Sequence, residues 1–128
     1  MIEKIKTYFS NKDEVAAIYI FGSYALGKQR HDSDIDIGII FDNSDPRSYQ
    51  KKRDLYMLEL GRILRKDIHP VILNLAGEEI HKQIFLKGKK ILVRDEKYFS
   101  RYCMFMMSRI ADFSYYKNRI QKGFLKNL

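Results

Sequence analysis

Hydrophobic residues recur along this chain with two different periods, which predict an alternation of helices and short strands. Apolar side chains fall at helical spacing in four segments: residues 2–9, 47–65, 76–88 and 98–123. Continuous apolar runs rich in β-branched residues are typical of buried strands, and they occupy residues 15–21, 34–41, 66–75 and, more briefly, 89–95. Pro70 lies in the third run and predicts an edge strand or a bulge, because proline cannot donate to a strand ladder. The pattern predicts one α/β (α+β) domain, a small mixed sheet of about four strands with flanking helices and a C-terminal helix.

Composition narrows the class of protein further. The 128 residues suffice for one domain, and the single Cys103 excludes an internal disulfide framework and favours a reducing setting. No apolar run reaches the roughly 18 residues of a membrane span, and the N-terminus lacks a signal-peptide core, so we expect a cytoplasmic protein without membrane contact. The formal net charge of +8 would attract a polyanion or an acidic partner, and a plain basic protein fits it equally well. The basic residues are dispersed, which gives no support for direct nucleic-acid binding.

Two aspartates interrupt the second predicted strand. Asp34 and Asp36 are separated by one isoleucine in the segment DIDIGIIF, so alternation along a strand places both side chains on one face. Like charges so close repel each other and resist burial unless a cation holds them. Mg²⁺ prefers oxygen ligands and commonly binds one or two carboxylates together with phosphate oxygens. The pair therefore indicates a Mg²⁺ site, and a strand that simply carries two aspartates toward solvent is the alternative.

A glycine–serine pair lies at the end of the preceding strand. Gly22 and Ser23 directly follow the apolar run 15–21, where a tight turn would expose backbone amides. Such amides bind phosphate, glycine lets the backbone approach closely, and a serine hydroxyl adds a donor. A phosphate site beside a metal site is the arrangement that nucleotidyl transfer needs.

The segment GSYALGKQRHDSDIDIGII, residues 22–40, resembles the signature of the polymerase-β-like nucleotidyltransferase superfamily. It is similar in particular to the minimal nucleotidyltransferase (MNT) family, in which the pattern G-S-x-A-x-G is followed by S-D-x-D. The residues that match this pattern are Gly22, Ser23, Ala25, Gly27, Ser33, Asp34 and Asp36. The resemblance implies a nucleotidyltransferase core over residues 1–95. Residues 96–128 would form a C-terminal helical segment of the same domain and a possible partner interface.

The resemblance also implies an activity, the Mg²⁺-dependent transfer of AMP from ATP to a hydroxyl. Gly22 and Ser23 would bind the nucleotide, and Asp34 and Asp36 would be catalytic metal ligands. A third carboxylate on a neighbouring strand would complete a two-metal site, and Asp67 in KDIHPVILN is the residue we favour.

One departure from the family pattern bears on this third position. Members often read D-x-x-x-L-N here, and counting back from Asn74 reaches His69 instead of Asp67. Both residues share strand parity, so either could face the site. A carboxylate is the better Mg²⁺ ligand and base, which is why Asp67 is favoured.

The C-terminal segment carries more apolar residues than one helix stripe can hold. Aromatic and methionine side chains lie off the main face, which predicts either deep burial against the sheet or a protein interface. The segment RIADFSYYKNRI also resembles antitoxins of the MNT family that pair with HEPN-domain ribonuclease toxins. This resemblance implies a hetero-oligomer in which AMP is transferred to a tyrosine of the toxin. A degenerate enzyme that neutralises its partner by contact alone, and transfer to a small molecule, are the alternatives.

The other residues that could have a chemical function are interpreted as structural. Lys28, Arg30 and His31 are interpreted as a solvated loop, and His81 is predicted to lie on the surface of a helix. Cys103 falls on the apolar stripe of the last helix and is interpreted as core packing.

Overall fold

The computed structural model of the protein describes residues 1–42 and 45–126, with side chains through residue 123. Its elements follow the chain in this order: α1 (Ile2–Ser10), β1 (Val15–Phe21), β2 (Ile35–Phe41), α2 (Tyr49–Leu64), β3 (Ile68–Ile72), α3 (Glu78–Lys87), β4 (Lys89–Val93) and α4 (Glu96–Lys126). Short 3₁₀ turns, Pro46–Ser48 and Leu73–Leu75, precede α2 and follow β3. The last two residues of the predicted C-terminal segment lie outside the described residues.

The strands form one mixed sheet in the order β3-β2-β1-β4. β1 pairs antiparallel with both β2 and β4, whereas β2 and β3 run parallel. This arrangement confirms the predicted fold class, and Pro70 does lie on an edge strand. The amide of Ile35 donates to the carbonyl of Asp67 at 2.9 Å. Alternation from this bond turns the nitrogen of Pro70 away from β2, so the proline removes no ladder hydrogen bond.

Two apolar clusters cover the two faces of the sheet. On one face, α1 and α2 pack on the fully buried Ile35, Ile37 and Ile39 of β2. On the other face, Ile84 of α3 and Phe99 of α4 pack on inward-facing residues of β1 and β2. Each strand of the pair β1–β2 is therefore buried on both faces, which explains why their sequences read as continuous apolar runs.

Helix α4 packs on the rest of the fold mainly through its first half. Phe99 and Met106 are buried, whereas Phe105, Tyr116 and Ile120 keep 62%, 60% and 73% of their surface exposed. The alternative of deep burial against the sheet therefore fails for the second half of the helix, which reaches α3 through the ion pair between Lys117 and Glu79 and keeps Tyr116 and Ile120 exposed. Within the described residues, no helix combines the length and the apolar character needed to cross a lipid bilayer.

The prediction that His81 lies on the surface is wrong, because α4 covers this face of α3 and leaves the imidazole fully buried. Nδ1 donates to the carbonyl of Gly77 at 2.8 Å, and Nε2 accepts from the hydroxyl of Tyr102 at 2.7 Å. Burial lowers the pKa of His81 below its ordinary value and raises that of the Tyr102 hydroxyl. The neutral imidazole therefore connects α3 to α4.

Replacing His81 by phenylalanine should destabilise the fold in a pH-dependent manner. At about pH 7.5, His81→Phe leaves the Tyr102 hydroxyl without its acceptor and removes the side-chain bond to the Gly77 carbonyl, which keeps its bond from the amide of residue 81. The loss should lower the free energy of unfolding by about 1–3 kcal/mol. The unfolded chain protonates this histidine near pH 6.5, whereas the folded chain resists protonation. Stability from the neutral imidazole is therefore present above about pH 6.5 and is lost as the pH falls toward the lowered pKa. Urea unfolding at pH 7.5 and 5 should show the difference from wild type shrinking at the lower pH.

His31→Gln is the matched control, because His31 is exposed on a loop and its loss should change stability little at either pH. A constant difference between His81→Phe and wild type across this pH range would contradict the neutral, buried state of His81.

Candidate active site

Asp34 and Asp36 lie where β2 begins. Asp36 is the second residue of the strand and pairs across the antiparallel ladder with Phe21, the last residue of β1. Asp34 immediately precedes the strand and is exposed, whereas the side chain of Asp36 retains 26% of its exposure. The isoleucines between and after them are buried on the opposite face. The aspartates therefore stand at an open end of an otherwise buried strand.

The turn after β1 packs directly on the Asp36 carboxylate. Gly22 has a φ of +70°, and a Cβ at this position would lie 2.2 Å from Oδ2 of Asp36. Only glycine permits this approach. The turn closes through backbone bonds from Leu26 to Gly22 at 3.3 Å and from Lys28 to Ser23 at 2.9 Å. Backbone amides in a tight turn can bind an anion, so a candidate phosphate site adjoins a candidate metal ligand.

The neighbouring strand brings His69 to Asp36. In the parallel register of β2 and β3, Asp36 lies opposite His69, and Nδ1 of His69 is 3.1 Å from Oδ1 of Asp36. Asp67 immediately precedes β3, and its exposed side chain lines a cleft together with Asp34. The register thus produces two lateral pairs, Asp36 with His69 and Asp34 with Asp67.

Asn74 holds this register at the other end of the strands. Its side-chain amide accepts from the nitrogen of Phe41 at 2.8 Å and donates to the oxygen of Phe41 at 3.0 Å. The side chain continues the ladder after the chain has turned out of β3. Counting back from Asn74 reaches His69, so the sequence contained the signal for the His69–Asp36 contact, although parity alone could not assign it.

The loop between the turn and β2 is held by few contacts. Ser33 closes it, since its hydroxyl accepts from the amide of Arg30 at 2.7 Å and its own amide donates to the Arg30 carbonyl at 3.1 Å. Nζ of Lys66 donates to the carbonyl of His31 at 3.1 Å and lies over the ring of Tyr24. Lys28, Arg30 and His31 are exposed, as expected for a solvated loop.

The donor set suits a cation that shares its ligands with a nucleotide. Within residues 1–42 and 45–126, no three His, Cys, Asp or Glu side chains gather closely enough to hold a metal by themselves. Asp34 and Asp36 still supply the one or two carboxylates that Mg²⁺ usually takes, with phosphate oxygens and water as its other ligands. The residues present therefore fit a Mg²⁺ that is bound together with a triphosphate.

A glycine–serine turn in contact with an Asp-x-Asp strand forms the kind of site that transfers nucleotides, and comparison with known proteins agrees. The chain matches the family model described as "Polymerase beta, Nucleotidyltransferase" over residues 3–97, and it belongs to this family. It is 34% identical over 86 residues to MJ1379 of Methanocaldococcus jannaschii, which is named as a candidate protein adenylyltransferase. That alignment covers 62% of this chain and 86% of the relative. The protein is a nucleotidyltransferase.

Solved structures share its fold. One is a chain of a crystal structure of a toxin–antitoxin with AMP-PNP, at a TM-score of 0.75 and 24% identity, over 97% of this chain and 98% of the other. Another belongs to a complex of the tri-AMPylated HEPN toxin of Shewanella oneidensis with MNT antitoxin. Its TM-score is 0.67 at 20% identity, over 98% of this chain and 99% of the other. These likenesses cover 97% and 98% of this chain and so extend into α4.

Gly22→Ala should disrupt the site by displacing Asp36. The added methyl group would overlap the carboxylate, so we expect the affinity for Mg²⁺-ATP to fall by at least about tenfold in titration calorimetry. Gly27→Ala is the matched control, because Gly27 has a similar φ of +68° but no atom within 4 Å of its Cβ position. Both variants carry the same backbone strain, of about 1 kcal/mol. Equal losses of affinity in the two would show that strain, and not contact with Asp36, is responsible.

Proposed function

We propose that this protein transfers AMP from ATP to a tyrosine hydroxyl of a HEPN-domain toxin and so acts as the antitoxin of a toxin–antitoxin pair. One observation carries the proposal, the contact between the backbone of Gly22 and the carboxylate of Asp36. A triphosphate on the turn would place its α-phosphate beside the aspartates. The name of the matched relative supports protein adenylylation, and the structural neighbours include an AMP-PNP complex and a tri-AMPylated HEPN toxin.

Each residue of the site has a role in this reaction. The amides of Gly22 and Ser23, with the Ser23 hydroxyl, bind the triphosphate. Mg²⁺ bound by Asp34 and Asp36 would supply charge neutralisation and orientation of the α-phosphate for in-line attack. The acceptor oxygen bonds to the α-phosphorus while the bond to the bridging oxygen breaks, and pyrophosphate leaves.

Beside Asp34 and Asp36, the neighbouring strand supplies two further polar residues, Asp67 and His69, to which we assign separate roles. Asp67, the lateral neighbour of Asp34, accepts the proton of the attacking hydroxyl, and a second ion of a two-metal site would also need its carboxylate. His69 donates Nδ1–H to Asp36 and thereby holds the orientation of that carboxylate. We therefore treat Asp67 as catalytic and His69 as a positioning residue.

The second half of α4 is proposed as the partner contact. Ion pairs from Arg109 to Glu78 at 2.5 Å and from Lys117 to Glu79 at 3.1 Å hold this helix along α3. Its outward aromatic and aliphatic side chains remain uncovered. Exposed apolar patches of this kind mark protein interfaces. Residues 1–95 would then form the catalytic core and residues 96–128 the segment that contacts the toxin in a hetero-oligomer.

A second candidate function is neutralisation by contact alone. It is favoured by the histidine beside Asp36, where the family often has a carboxylate, since a site short of one carboxylate could bind nucleotide without turning it over. The transfer assay below separates the two functions.

Incubation with ATP, Mg²⁺ and the HEPN partner should raise the intact mass of the partner by the mass of AMP. Asp34→Asn and Asp36→Asn should each slow this transfer by about 10²-fold or more, because they remove charge from the metal site. Asp13→Asn is the control: Asp13 precedes β1, at the opposite end of that strand from Phe21, and its side chain is 97% exposed. No mass gain with wild type, combined with toxin inhibition that survives Asp36→Asn, would establish the contact-only function.

Substitutions of Asp67 and His69 should distinguish the catalytic role of the first from the positioning role of the second. Asp67→Asn should reduce the transfer rate by about 10²-fold without changing the affinity for ATP. His69→Ala should weaken Mg²⁺-ATP binding, whereas His69→Asn should restore it, because the asparagine amide can replace the Nδ1 donor. Single-turnover rates and calorimetric affinities measure the two effects. A normal rate for Asp67→Asn together with a rate defect for His69→Ala would reverse the assignment.

A further inference from the structure

A cleft of about 870 Å³ opens beside the candidate active site, between the loop before β2 and the C-terminal half of α2. Asp34 and Asp67 line it, whereas the turn at Gly22 and Ser23 does not. In phosphoryl transfer, the attacking oxygen approaches roughly in line with the bond that breaks. Because the turn would hold the leaving pyrophosphate, the acceptor hydroxyl must approach from a side away from the turn. We therefore take the cleft as the acceptor side of the site.

Two arginines at the end of α2 line this cleft without a partner. The side chains of Arg62 and Arg65 are exposed, and neither has a hydrogen bond or an ion pair among the described residues. Lys66 also lines the cleft, but its Nζ already donates to the carbonyl of His31 at 3.1 Å. A guanidinium group binds a carboxylate through two parallel hydrogen bonds. The two arginines are therefore available to an anionic group that enters the cleft.

The backbone of Arg65 is strained in a way that the helix end does not require. Arg65 ends α2 in the left-handed conformation, with φ 54° and ψ 40°, and no other non-glycine residue in the described part of the chain has a positive φ. Helices commonly end in this conformation on glycine, which adopts it without a Cβ penalty. A cation complements the helix dipole from neighbouring positions as well. An arginine kept at a strained position points to a function for its side chain.

The charge and the apolar surface of the cleft favour a polypeptide over a nucleic acid. Asp32, Asp34 and Asp67 line the same space as the arginines, and they would repel an unbroken row of phosphates. A peptide can instead place single carboxylates on the arginines and neutral groups beside the aspartates. Met57 and Leu58 line the cleft with 38% and 53% of their surface exposed, and an aromatic ring packed on them would remove apolar surface from water.

We propose that this cleft selects the acceptor, a polypeptide segment in which the tyrosine is flanked by acidic side chains. The inference rests on the proposed adenylyl transfer and adds the chemistry by which the acceptor is recognised. The tyrosine ring would pack on Met57 and Leu58, with its hydroxyl toward Asp67. The flanking carboxylates would bind Arg62 and Arg65, which are thus specificity-determining residues that act on the acceptor and not on the nucleotide.

Capped peptides of equal length test this preference directly. One peptide carries a tyrosine between pairs of glutamates, and the other carries glutamines, which have nearly the same shape without the charge. With ATP and Mg²⁺, we expect the wild type to adenylylate the glutamate peptide with a kcat/KM at least about tenfold higher than that of the glutamine peptide. In the Arg62→Gln/Arg65→Gly double variant, this ratio should fall below about threefold, because both charge-assisted contacts are lost.

Two controls accompany the double variant. Glycine suits the left-handed conformation at residue 65, so we expect the thermal midpoint of the double variant to stay close to that of wild type. Lys51→Gln removes an exposed cation of the same helix outside the cleft, and its ratio should match the wild-type ratio. The inference is overturned by an unchanged ratio in the double variant or by an equal fall in Lys51→Gln, which would assign the preference to net charge.

A binding experiment separates failure of this inference from failure of the proposed function. Both peptides, carrying the same fluorophore, are titrated with wild type and double variant in the presence of Mg²⁺ and α,β-methylene ATP, which cannot transfer AMP. We expect the wild type to bind the glutamate peptide at least about tenfold more tightly than the glutamine peptide, and the double variant to lose most of this difference.

The binding result also decides the case in which neither peptide is modified. If the wild type adenylylates neither the peptides nor the HEPN partner, the proposed function is wrong, yet an arginine-dependent preference for the glutamate peptide would still support the cleft. Equal binding of the two peptides overturns the inference. A short RNA that displaces the glutamate peptide and binds more tightly through the same arginines also overturns it, because the cleft would then select a nucleic acid.

Discussion

The side-chain amide of Asn74, bonded to both backbone groups of Phe41, is the constraint on which the site depends. It fixes the parallel register of β2 and β3 at the end away from the aspartates. A slip of one residue would turn every side chain of β3 to the other face. With the register fixed, His69 stands beside Asp36 and Asp67 beside Asp34. One partly buried polar contact thus helps to determine which polar residues meet at the opposite end of the sheet.

The second constraint is the close approach of Gly22 to Asp36. Through this contact, the end of β1 and the start of β2 contribute to the same candidate site. β1 ends with the turn that is proposed to bind phosphate, and β2 begins with the carboxylates that are proposed to share a cation with that phosphate. The antiparallel pairing of Phe21 with Asp36 makes the two ends coincide. Both strands are buried on both faces along most of their length. Charged groups such as the carboxylates of Asp34 and Asp36 therefore fit at the exposed start of β2.

Local patterns predicted most of the fold, and long-range contacts account for what they missed. The continuous run 15–21 gave the bounds of β1 correctly, since a buried strand needs apolar residues throughout. The Asp34–Asp36 pair was visible because a strand face is set by parity alone. Parity could not choose between Asp67 and His69, because the register depends on Asn74. The charged neighbours of His81 on its helix predicted exposure, because its burial depends on Tyr102 in a distant helix. The roles of the site residues stay predictions.

The edge formed by β3 has a consequence for how a partner can bind. Pro70 presents no N–H on the outer side of the strand, and its carbonyl already accepts from Nε of Arg53 at 2.8 Å. The middle of this edge therefore offers neither a donor nor a free acceptor to an incoming strand. Another polypeptide cannot extend the sheet next to the aspartates by main-chain pairing, and copies of this protein are protected from stacking edge to edge there. An acceptor that approaches along this edge is instead recognised through its side chains, so its specificity there depends on a few residues that selection can alter independently of the fold.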